Sequence, residues 1–252
     1  MNWSRGRNSC ARAFWTMLAS SLAVTALSAL TGCGGGGSSA SAASPIAAPA
    51  STNVYAAYAA LTRQPHNYSL AGSTSTGVAL TATLSIAQGA PVTSNGSTFD
   101  TATLTTSIFN GGILSAFGVT TAWQLTGTPN WAATFNSSDG TCFWETSGSS
   151  LPTSASLGQS GAYITASQYS GCNATTLPYS YWIPVGKLTT TWSYSTINGT
   201  AFVCINSSNL GFVGVAALES DCIEVVDTAG TLGTHVRIST QDLNKVVTVL
   251  AN

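Results

Sequence analysis

Apolar and polar residues alternate with a period of two through most of this chain. Successive side chains of a β-strand point to opposite faces of a sheet, so this alternation predicts strands that are buried on one face. Nine runs show it: 77–87, 99–109, 119–127, 161–167, 187–197, 200–206, 222–227, 234–240 and 245–251. The pattern predicts an all-β protein, either an antiparallel β-sandwich or an up-and-down β-barrel of many short strands.

Turn-forming dipeptides support antiparallel hairpins between these runs. Asn-Gly or Asp-Gly occurs at four places: 95–96, 110–111, 139–140 and 198–199. Such dipeptides tolerate the positive φ angles of two-residue hairpin loops. Placing 198–199 in the turn pairs Tyr194 with Val203 on the core face. Cys204 then points away from the core, and we expect it to bridge to a segment that covers the sheet.

One short helix is predicted before the strands, at residues 54–64. Val54, Tyr58 and Leu61 share one helical face, Asn53 can cap the first turn, and a proline follows the last residue. This segment is the only one in the chain for which we predict a helix.

The first 32 residues have the features of an export signal. Three arginines, Arg5, Arg7 and Arg12, and no acidic residue precede residue 13. An uncharged, largely apolar run then extends from 13 to 32. The run leads into Leu30-Thr31-Gly32-Cys33, which resembles the lipobox of bacterial lipoproteins. The resemblance implies that the Cys33 thiol carries a diacylglycerol, that the chain is cleaved before it, and that the new amino terminus is acylated. The alternative is an ordinary secretory signal with a cysteine near the cut.

A flexible tether is predicted after the signal, because residues 33–53 carry no charge and no aromatic side chain. Such a segment cannot bury enough surface to offset the entropy of ordering its backbone. The resemblance also makes residue 34 informative. In such lipoproteins an aspartate at this position tends to retain the protein on the inner membrane, so Gly34 implies the outer membrane of the cell envelope. The predicted organisation is a signal at 1–32, a tether at 33–53 and one all-β domain at 54–252, with two β-subdomains at about 65–150 and 151–252 as the alternative.

The chain after the signal is acidic and sparsely charged. Of seven Lys and Arg residues three precede Cys33, so four remain against eight Asp and Glu, which leaves a net charge of about −4. No basic patch for nucleic acid is present. We therefore expect no nucleic acid as a partner. The expected partners are the membrane, through the lipid anchor, and a glycan or an envelope protein.

Four cysteines remain after Cys33: Cys142, Cys172, Cys204 and Cys222. An even number in an oxidising compartment predicts two disulfides, with three possible connectivities. We favour the bonds between sequence neighbours, Cys142–Cys172 and Cys204–Cys222. No pair has a Cys-x-x-Cys spacing, which argues against a zinc site and against a redox pair.

The sequence contains no motif that assigns an enzymatic activity. Gly-x-Ser-x-Gly, Ser-x-x-Lys, His-Glu-x-x-His and P-loop motifs are all absent. A Ser–His–Asp trio would need His66 or His235 with Asp100, Asp221 or Asp227, and no local pattern selects one. We predict no catalytic residue, no cofactor and no metal site.

One acidic cluster is present, made up of Glu219, Asp221, Glu224 and Asp227. Its spacing matches no calcium-binding loop, so we interpret it as a solvated face. If residues 228–233 form a loop, Glu224 faces Arg237 across a hairpin as an ordinary ion pair.

Aromatic residues suggest a binding hypothesis. Tyr179, Tyr181 and Trp182 lie between two prolines, where an exposed loop could stack against a sugar. The alternative is that the rings of this chain fill the β-core. The predicted function is a membrane-anchored envelope lipoprotein with a non-catalytic structural or interaction role. A glycan or small-ligand binding module is the alternative, and a closed interior cavity of roughly several hundred Å³ would support the binding of a small ligand. A periplasmic hydrolase is a second alternative.

Overall fold

The structure, a computed structural model, describes residues 47–252 apart from 95, 139, 173–182, 212–215 and 243, and without the side chains of 211 and 216. Within these residues the chain forms one helix and fourteen strands. In chain order they are β1 (Ser51–Thr52), α1 (Val54–Arg63), β2 (His66–Thr74), β3 (Ala79–Ser94), β4 (Ser97–Asn110), β5 (Ile113–Leu125), β6 (Trp131–Asn136), β7 (Thr141–Gly148), β8 (Ala155–Ser156), β9 (Ser160–Ser170), β10 (Gly186–Ile197), β11 (Thr200–Gly211), β12 (Ala216–Val225), β13 (Leu232–Gln241) and β14 (Val247–Ala251).

Twelve of the strands form one closed antiparallel barrel. Its order follows the chain, from β2 through β7, then β9 through β14, and β14 pairs with β2 through Thr248 and Thr74 to close it. The remaining strands, β1 and β8, pair with each other as a separate small sheet. The prediction of an all-β fold is confirmed, and the architecture is the up-and-down barrel rather than the sandwich.

The β10–β11 hairpin has the predicted register. Tyr194 pairs with Val203, and the turn residues Asn198 and Gly199 have φ angles of 52° and 85°. Positive φ at both positions is the geometry that Asn-Gly favours in a two-residue loop. The turn therefore sets which side chains of this hairpin face the barrel interior.

The second predicted Asn-Gly turn is displaced by one residue. Asn110 pairs with Ile113, so the loop consists of Gly111 and Gly112, whose φ angles are 57° and 81°. Two glycines adopt positive φ without steric cost, and Asn110 can therefore remain in β4.

The other two predicted turns contain positions 95 and 139, which lie outside the described residues. Ser94 pairs with Ser97, as a two-residue loop requires. Asn136 pairs with Thr141, so residues 137–140 connect β6 to β7 and the prediction of a two-residue turn there is wrong.

Both disulfides join sequence neighbours, Cys142 with Cys172 and Cys204 with Cys222, as predicted. The expectation that Cys204 reaches a covering segment is wrong, because Cys222 lies directly opposite it on the adjacent strand. Cys204 alternates with inward-facing Val203, so this bond links β11 and β12 on the outer face of the barrel.

Alternation does not predict three of the barrel strands, β2, β6 and β7. On β6 and β7 both faces are buried: Phe143 belongs to the interior core, whereas Phe135 and Cys142 belong to a cluster on the outer face, and each is at most 3% exposed. Alternation of apolar and polar residues disappears when both faces of a strand are covered. In β2, Leu70 is the one large aliphatic residue among small and polar ones.

The two larger of three hydrophobic clusters in the described residues lie on opposite sides of the barrel wall, and the third contains Phe202, Cys204 and Cys222. The main core fills the interior and includes Leu84, Trp192 and Tyr194. The outer cluster consists of Phe99, Trp123, Ala133, Phe135, Cys142 and Cys172. Trp123 is fully buried at its centre, with ring centroids 4.9 Å from Phe135 and 5.4 Å from Phe99.

Helix α1 lies at the end of the barrel where β2 begins and β14 ends, which we call the helix end. Gln88 Nε2 on β3 donates to the carbonyl of Thr62 at 2.6 Å, and the backbone N–H of Asn53 donates to the carbonyl of Thr228. Val54 is fully buried in the core. The helix prediction is confirmed to within one residue.

The N-cap of α1 provides a test of helix stability. Asn53 Oδ1 accepts a hydrogen bond from Ala56 N at 2.9 Å, as a capping residue does. We expect Asn53→Ala to lower the free energy of unfolding by about 1 kcal/mol in urea denaturation. Asn67→Ala, at an exposed position of β2, is the matched control and should change it by less than about 0.5 kcal/mol. Equal effects of the two substitutions would argue against the cap.

Candidate functional site

A cavity of about 100 Å³ lies inside the barrel beside α1. Tyr58, Leu61 and Thr62 of the helix border it, and most of its wall is aliphatic or aromatic. Among the described residues on this wall, Asp221 is the only one with a carboxyl group, and none is a lysine, an arginine or a histidine. The volume is below the several hundred Å³ expected of a carrier for larger ligands, so the cavity suits a small group.

Two carboxyl side chains of β12 face the barrel interior. Asp221 borders the cavity, and Glu219 lies two residues earlier on the same face of the strand and is 6% exposed. Asp221 pairs with Ile205 on one side and with Ile238 on the other, so aliphatic side chains flank it. Glu219 pairs with Ser207.

Burial raises the pKa of both carboxyls, because a low-dielectric interior disfavours the charged form. It raises the pKa of Asp221 to about 7, although a hydrogen bond from Glu219 opposes this rise. Burial also raises the pKa of Glu219 well above its usual value, and the charge of Asp221 adds to the effect. Burial thus favours the protonated form of Glu219, which donates a hydrogen bond to Asp221, and the two carboxyls titrate as a coupled pair.

Tyr58 is the titratable residue of α1 that approaches this pair. Burial raises the pKa of its phenol, and the charge of Asp221 raises it further. The Tyr58 ring meets Tyr163 edge-on, with centroids 5.9 Å apart. Tyr58 therefore stays neutral and presents a hydroxyl donor near the carboxyl pair.

No cation faces the pair among the residues that the structure describes. Arg63 Nη2 is 3.7 Å from Asp100 Oδ2 at the helix end. Lys187 and Lys245 are exposed, and Arg237 alternates with the inward residues of β13. Buried carboxyls are usually compensated by a cation, so this pair is an exception.

Three buried oxygens on the inward faces of β11 and β12 lack a hydrogen-bond partner within the described part of the chain: Glu219 Oε1, Asp221 Oδ1 and Asn209 Oδ1. Asn209 is 3% exposed and lies two residues from Ser207, the partner of Glu219, on the inward face of β11. Each unpaired buried acceptor costs about 1–3 kcal/mol. The interior therefore holds unpaired acceptors on β11 and β12, and on β9 the buried Gln168 Nε2 is an unpaired donor.

The structure divides the acidic cluster that the sequence presents as one solvated face. Glu224 and Asp227 are partly exposed, but the interpretation is wrong for Glu219 and Asp221, which point inwards. The signal for this placement is alternation: Glu219 and Asp221 share the odd-numbered face of β12 with Ile223, which belongs to the core.

The predicted ion pair between Glu224 and Arg237 is also wrong. A register shift after Ile223 places Glu224 beside His235, whose Nδ1 is 2.7 Å from Glu224 Oε2. Although partial burial opposes the change, hydrogen bonds from His235 and Thr234 lower the pKa of Glu224. The half-exposed His235 ring therefore contacts Glu224 through a side-chain hydrogen bond.

The histidines form no catalytic trio within the described residues. His66 opens β2, with Nε2 3.2 Å from the Ala60 carbonyl and Nδ1 3.3 Å from the Tyr68 hydroxyl. His235 contacts Glu224. In the described part of the chain, neither ring is hydrogen-bonded to a serine, so the nucleophile–base contact of a serine hydrolase is missing there.

The predicted stacking residues Tyr179, Tyr181 and Trp182 lie outside the described residues, so their role stays a prediction. Other aromatic residues fill the core, as the alternative interpretation holds: Trp131 and Trp192 are 5% and 6% exposed.

A second crevice, of about 220 Å³, lies at the helix end beside Trp131 and Tyr163. Glu145 borders it, and burial raises the pKa of this carboxyl. Among the described residues on its wall, Glu145 is the only carboxylate, and paired-carboxylate chemistry has no second partner there.

Comparisons with protein families, with curated proteins and with solved structures find no match to this chain. In the described part of the chain, no group of three or more His, Cys, Asp or Glu side chains is placed to hold a metal ion. No helix among the described residues has the length and apolarity that crossing a bilayer requires.

Proposed function

We propose that this protein is a bacterial envelope lipoprotein, anchored through lipid on Cys33, with a non-catalytic structural or interaction role on the outer membrane. The observation that carries the proposal is the pair of disulfides in the barrel, since such bonds persist in oxidising compartments outside the cytoplasm. The lipobox-like sequence ending at Cys33 supports the anchor, and Cys33 itself lies outside the described residues.

The attachment of the N-terminal segment to the barrel is compatible with this anchor. The Tyr194 hydroxyl donates to the carbonyl of Pro49, and Leu157 N donates to the carbonyl of Ala50 at 2.9 Å. The last residues of the predicted tether thus belong to the folded body at the helix end. The chain from Cys33 to Ala47 reaches about 50 Å when extended, which is enough to hold this end near a bilayer.

Palmitate labelling tests the anchor. We expect the wild-type chain, expressed in a bacterium that processes lipoproteins, to incorporate labelled palmitate and to begin at residue 33 in mass spectrometry. Cys33→Ala should abolish the label, because no thiol remains to accept the lipid. Cys10→Ala, within the predicted signal, is the matched control and should label normally. Label retained by Cys33→Ala, or a mature protein that still carries Arg5, would contradict the proposal.

A second candidate function is the binding of a small ligand inside the barrel. The observation that favours it is the interior cavity together with the unpaired Oδ1 of Asp221 on its wall. Both functions are compatible, because an anchored lipoprotein can carry a ligand site.

A further inference from the structure

We propose that the barrel docks on a lipid bilayer by inserting the turn between β4 and β5 into the membrane interface. This turn lies at the end of the barrel opposite the helix end, which we call the turn end. The connections β2–β3, β9–β10, β11–β12 and β13–β14 lie at the same end, because consecutive strands of the barrel are antiparallel. The inference goes beyond the proposed lipid anchor, since it assigns a second membrane contact to the folded body itself.

Three exposed apolar side chains, which we call the apolar tip, lie at and beside the β4–β5 turn. Ile113 and Leu114 follow the two glycines of the turn and are 75% and 54% exposed, and Phe117 on β5 is 46% exposed. Phe117 points away from the interior, because it follows Ala116, which packs against the core. Exposed apolar side chains that lie together mark an interaction surface.

Other exposed apolar residues lie at the same end of the barrel. Val78 in the β2–β3 connection is 37% exposed, and Ile183 in the β9–β10 connection is 79% exposed. Leu210 and Leu218, on either side of the β11–β12 connection, are 47% and 44% exposed. Among the described residues, the remaining large apolar side chains that are exposed to this degree are three at the helix end: Leu125, Leu157 and Val226. Exposed apolar surface is therefore concentrated at the turn end.

The charges near the turn end also suit a lipid surface. No Asp, Glu, Lys, Arg or His occurs from 101 to 138, a stretch that includes the apolar tip, so the tip enters a membrane without burying a charge. Lys187 at the start of β10 and Lys245 in the β13–β14 connection are both exposed at this end, where lysines can reach lipid phosphates. Asp242 in the same connection accepts hydrogen bonds from two backbone N–H groups of its own turn.

The shape of the apolar tip favours lipid over a protein partner. Thr120 is the residue of β5 nearest the tip that pairs with β6, so residues 113–119 extend beyond β6. A protruding tip of three side chains buries less surface than the ~1,200–2,000 Å² of a stable protein–protein interface. A bilayer has no such minimum, because membrane binding scales with the buried apolar area and with attraction of cations to anionic lipids.

The predicted tether is long enough for this contact to form on the membrane that carries the anchor. The tether meets the folded body at the helix end, where the Tyr194 hydroxyl donates to the carbonyl of Pro49. Strand β10 has 12 residues and is therefore about 40 Å long, and strand tilt makes the barrel shorter than this. The extended reach of about 50 Å from Cys33 to Ala47 exceeds that height. This step, unlike the others, rests on the proposed anchor.

Vesicle flotation of the chain from residue 34 onward tests the contact. This chain contains the helix, the closed barrel and both disulfides, and it lacks Cys33 and the predicted signal. We expect it to float with vesicles of phosphatidylcholine and phosphatidylglycerol. Joint replacement of Ile113, Leu114 and Phe117 by serine should lower the partition coefficient at least ~10-fold, because binding scales with buried apolar area.

The matched control is a triple serine variant at the helix end, where three side chains of similar type are exposed: Leu125, Leu157 and Val226. It should bind vesicles as the unsubstituted chain does. Thermal unfolding of both triple variants will verify that each one folds.

A fluorescent label locates the part of the protein that enters the membrane. An NBD group attached to Ile113→Cys should emit at shorter wavelength on vesicles and should be quenched by lipids with a spin label on the acyl chain. The same group on Leu157→Cys at the helix end should show neither change. The four native cysteines of this chain are paired in disulfides, so the introduced thiol is the one that reacts.

The outcomes distinguish lipid from other occupants of the apolar tip. Failure of the unsubstituted chain to float with vesicles would overturn the proposal, and a dimer in sedimentation that the serine variant of the tip abolishes would then identify a second copy as the occupant. Vesicle binding that the tip variant retains, or that both triple variants lose equally, would also overturn it. None of these results depends on lipid at Cys33, which the palmitate experiment tests separately.

Discussion

Replacing Cys142 and Cys172 together by alanine is expected to lower the free energy of unfolding by about 3–4 kcal/mol. The bond closes a loop with a sequence separation of 30 residues, and its loss increases the entropy of the unfolded chain. Both cysteines also belong to the outer cluster with Trp123, where Cys142 is 1% exposed, so lost packing adds to the effect. Urea denaturation monitored by tryptophan fluorescence measures it.

The second disulfide provides the matched comparison for this prediction. Cys204 and Cys222 are separated by 18 residues, so loop entropy alone predicts a slightly smaller loss, about 3 kcal/mol, for their joint replacement by alanine. Thiol titration of the unfolded wild-type chain should find no free thiol among these four cysteines. Free thiols there, or an unchanged unfolding free energy in the first variant, would contradict the role that we assign to the bonds.

The stability of the wild-type barrel is expected to fall as the pH rises from about 4 to about 7. The pKa of Asp221 is about 7 in the folded chain and ~3.9 in an unfolded one. Between these values the unfolded state releases a proton that the folded state retains, so rising pH favours unfolding. A difference of about three pKa units corresponds to on the order of 4 kcal/mol, and Glu219, whose pKa is also raised, adds to the loss.

Substituting the carboxyls isolates the cause of this pH dependence. The double variant Asp221→Asn with Glu219→Gln should unfold with a nearly constant free energy between pH 5 and pH 8, measured in amine-free phosphate buffer. Asp227→Asn is the control, because hydrogen bonds from Thr231 lower the pKa of exposed Asp227 and its effect is confined to acidic pH. A wild-type profile that is flat from pH 5 to pH 8 would show that the interior pair is already ionised.

Local patterns are sufficient for much of the fold. Alternation identifies nine of the barrel strands, and Asn198-Gly199 sets the register of the β10–β11 hairpin. Helix α1 is predictable because its apolar face, its Asn53 cap and its terminating proline all lie within one short segment. Disulfide pairing also follows sequence proximity, since antiparallel hairpins bring sequence neighbours together.

Alternation does not predict β6 and β7, because their burial depends on contacts with side chains from other parts of the sequence. The outer face of these strands is covered by side chains such as Phe99 and Trp123 from other strands of the barrel. A strand with two buried faces loses its alternation, and only the assembled barrel shows which second face is covered.

The candidate site depends on tertiary structure more than the strands and the helix do. Glu219 and Asp221 lie on the same face of β12 as Ile223, and Cys222 lies on the opposite face. The sequence therefore contains an indication that the two carboxyls point inwards. Charged residues are so rarely buried without a partner that composition argues against this placement. The unpaired oxygen of Asn209 and the cavity beside α1 become visible only once β11, β12 and the helix are assembled.

The sequence by itself determined that this chain forms antiparallel strands joined by tight turns and two disulfides, because alternation, turn chemistry and cysteine number are properties of neighbouring residues. Tertiary structure alone decided that the sheet closes into a barrel and that two carboxyls face its interior beside a cavity. Closure and burial depend on contacts between residues far apart in the chain, such as Thr74 with Thr248, and no local rule specifies which distant strands will meet.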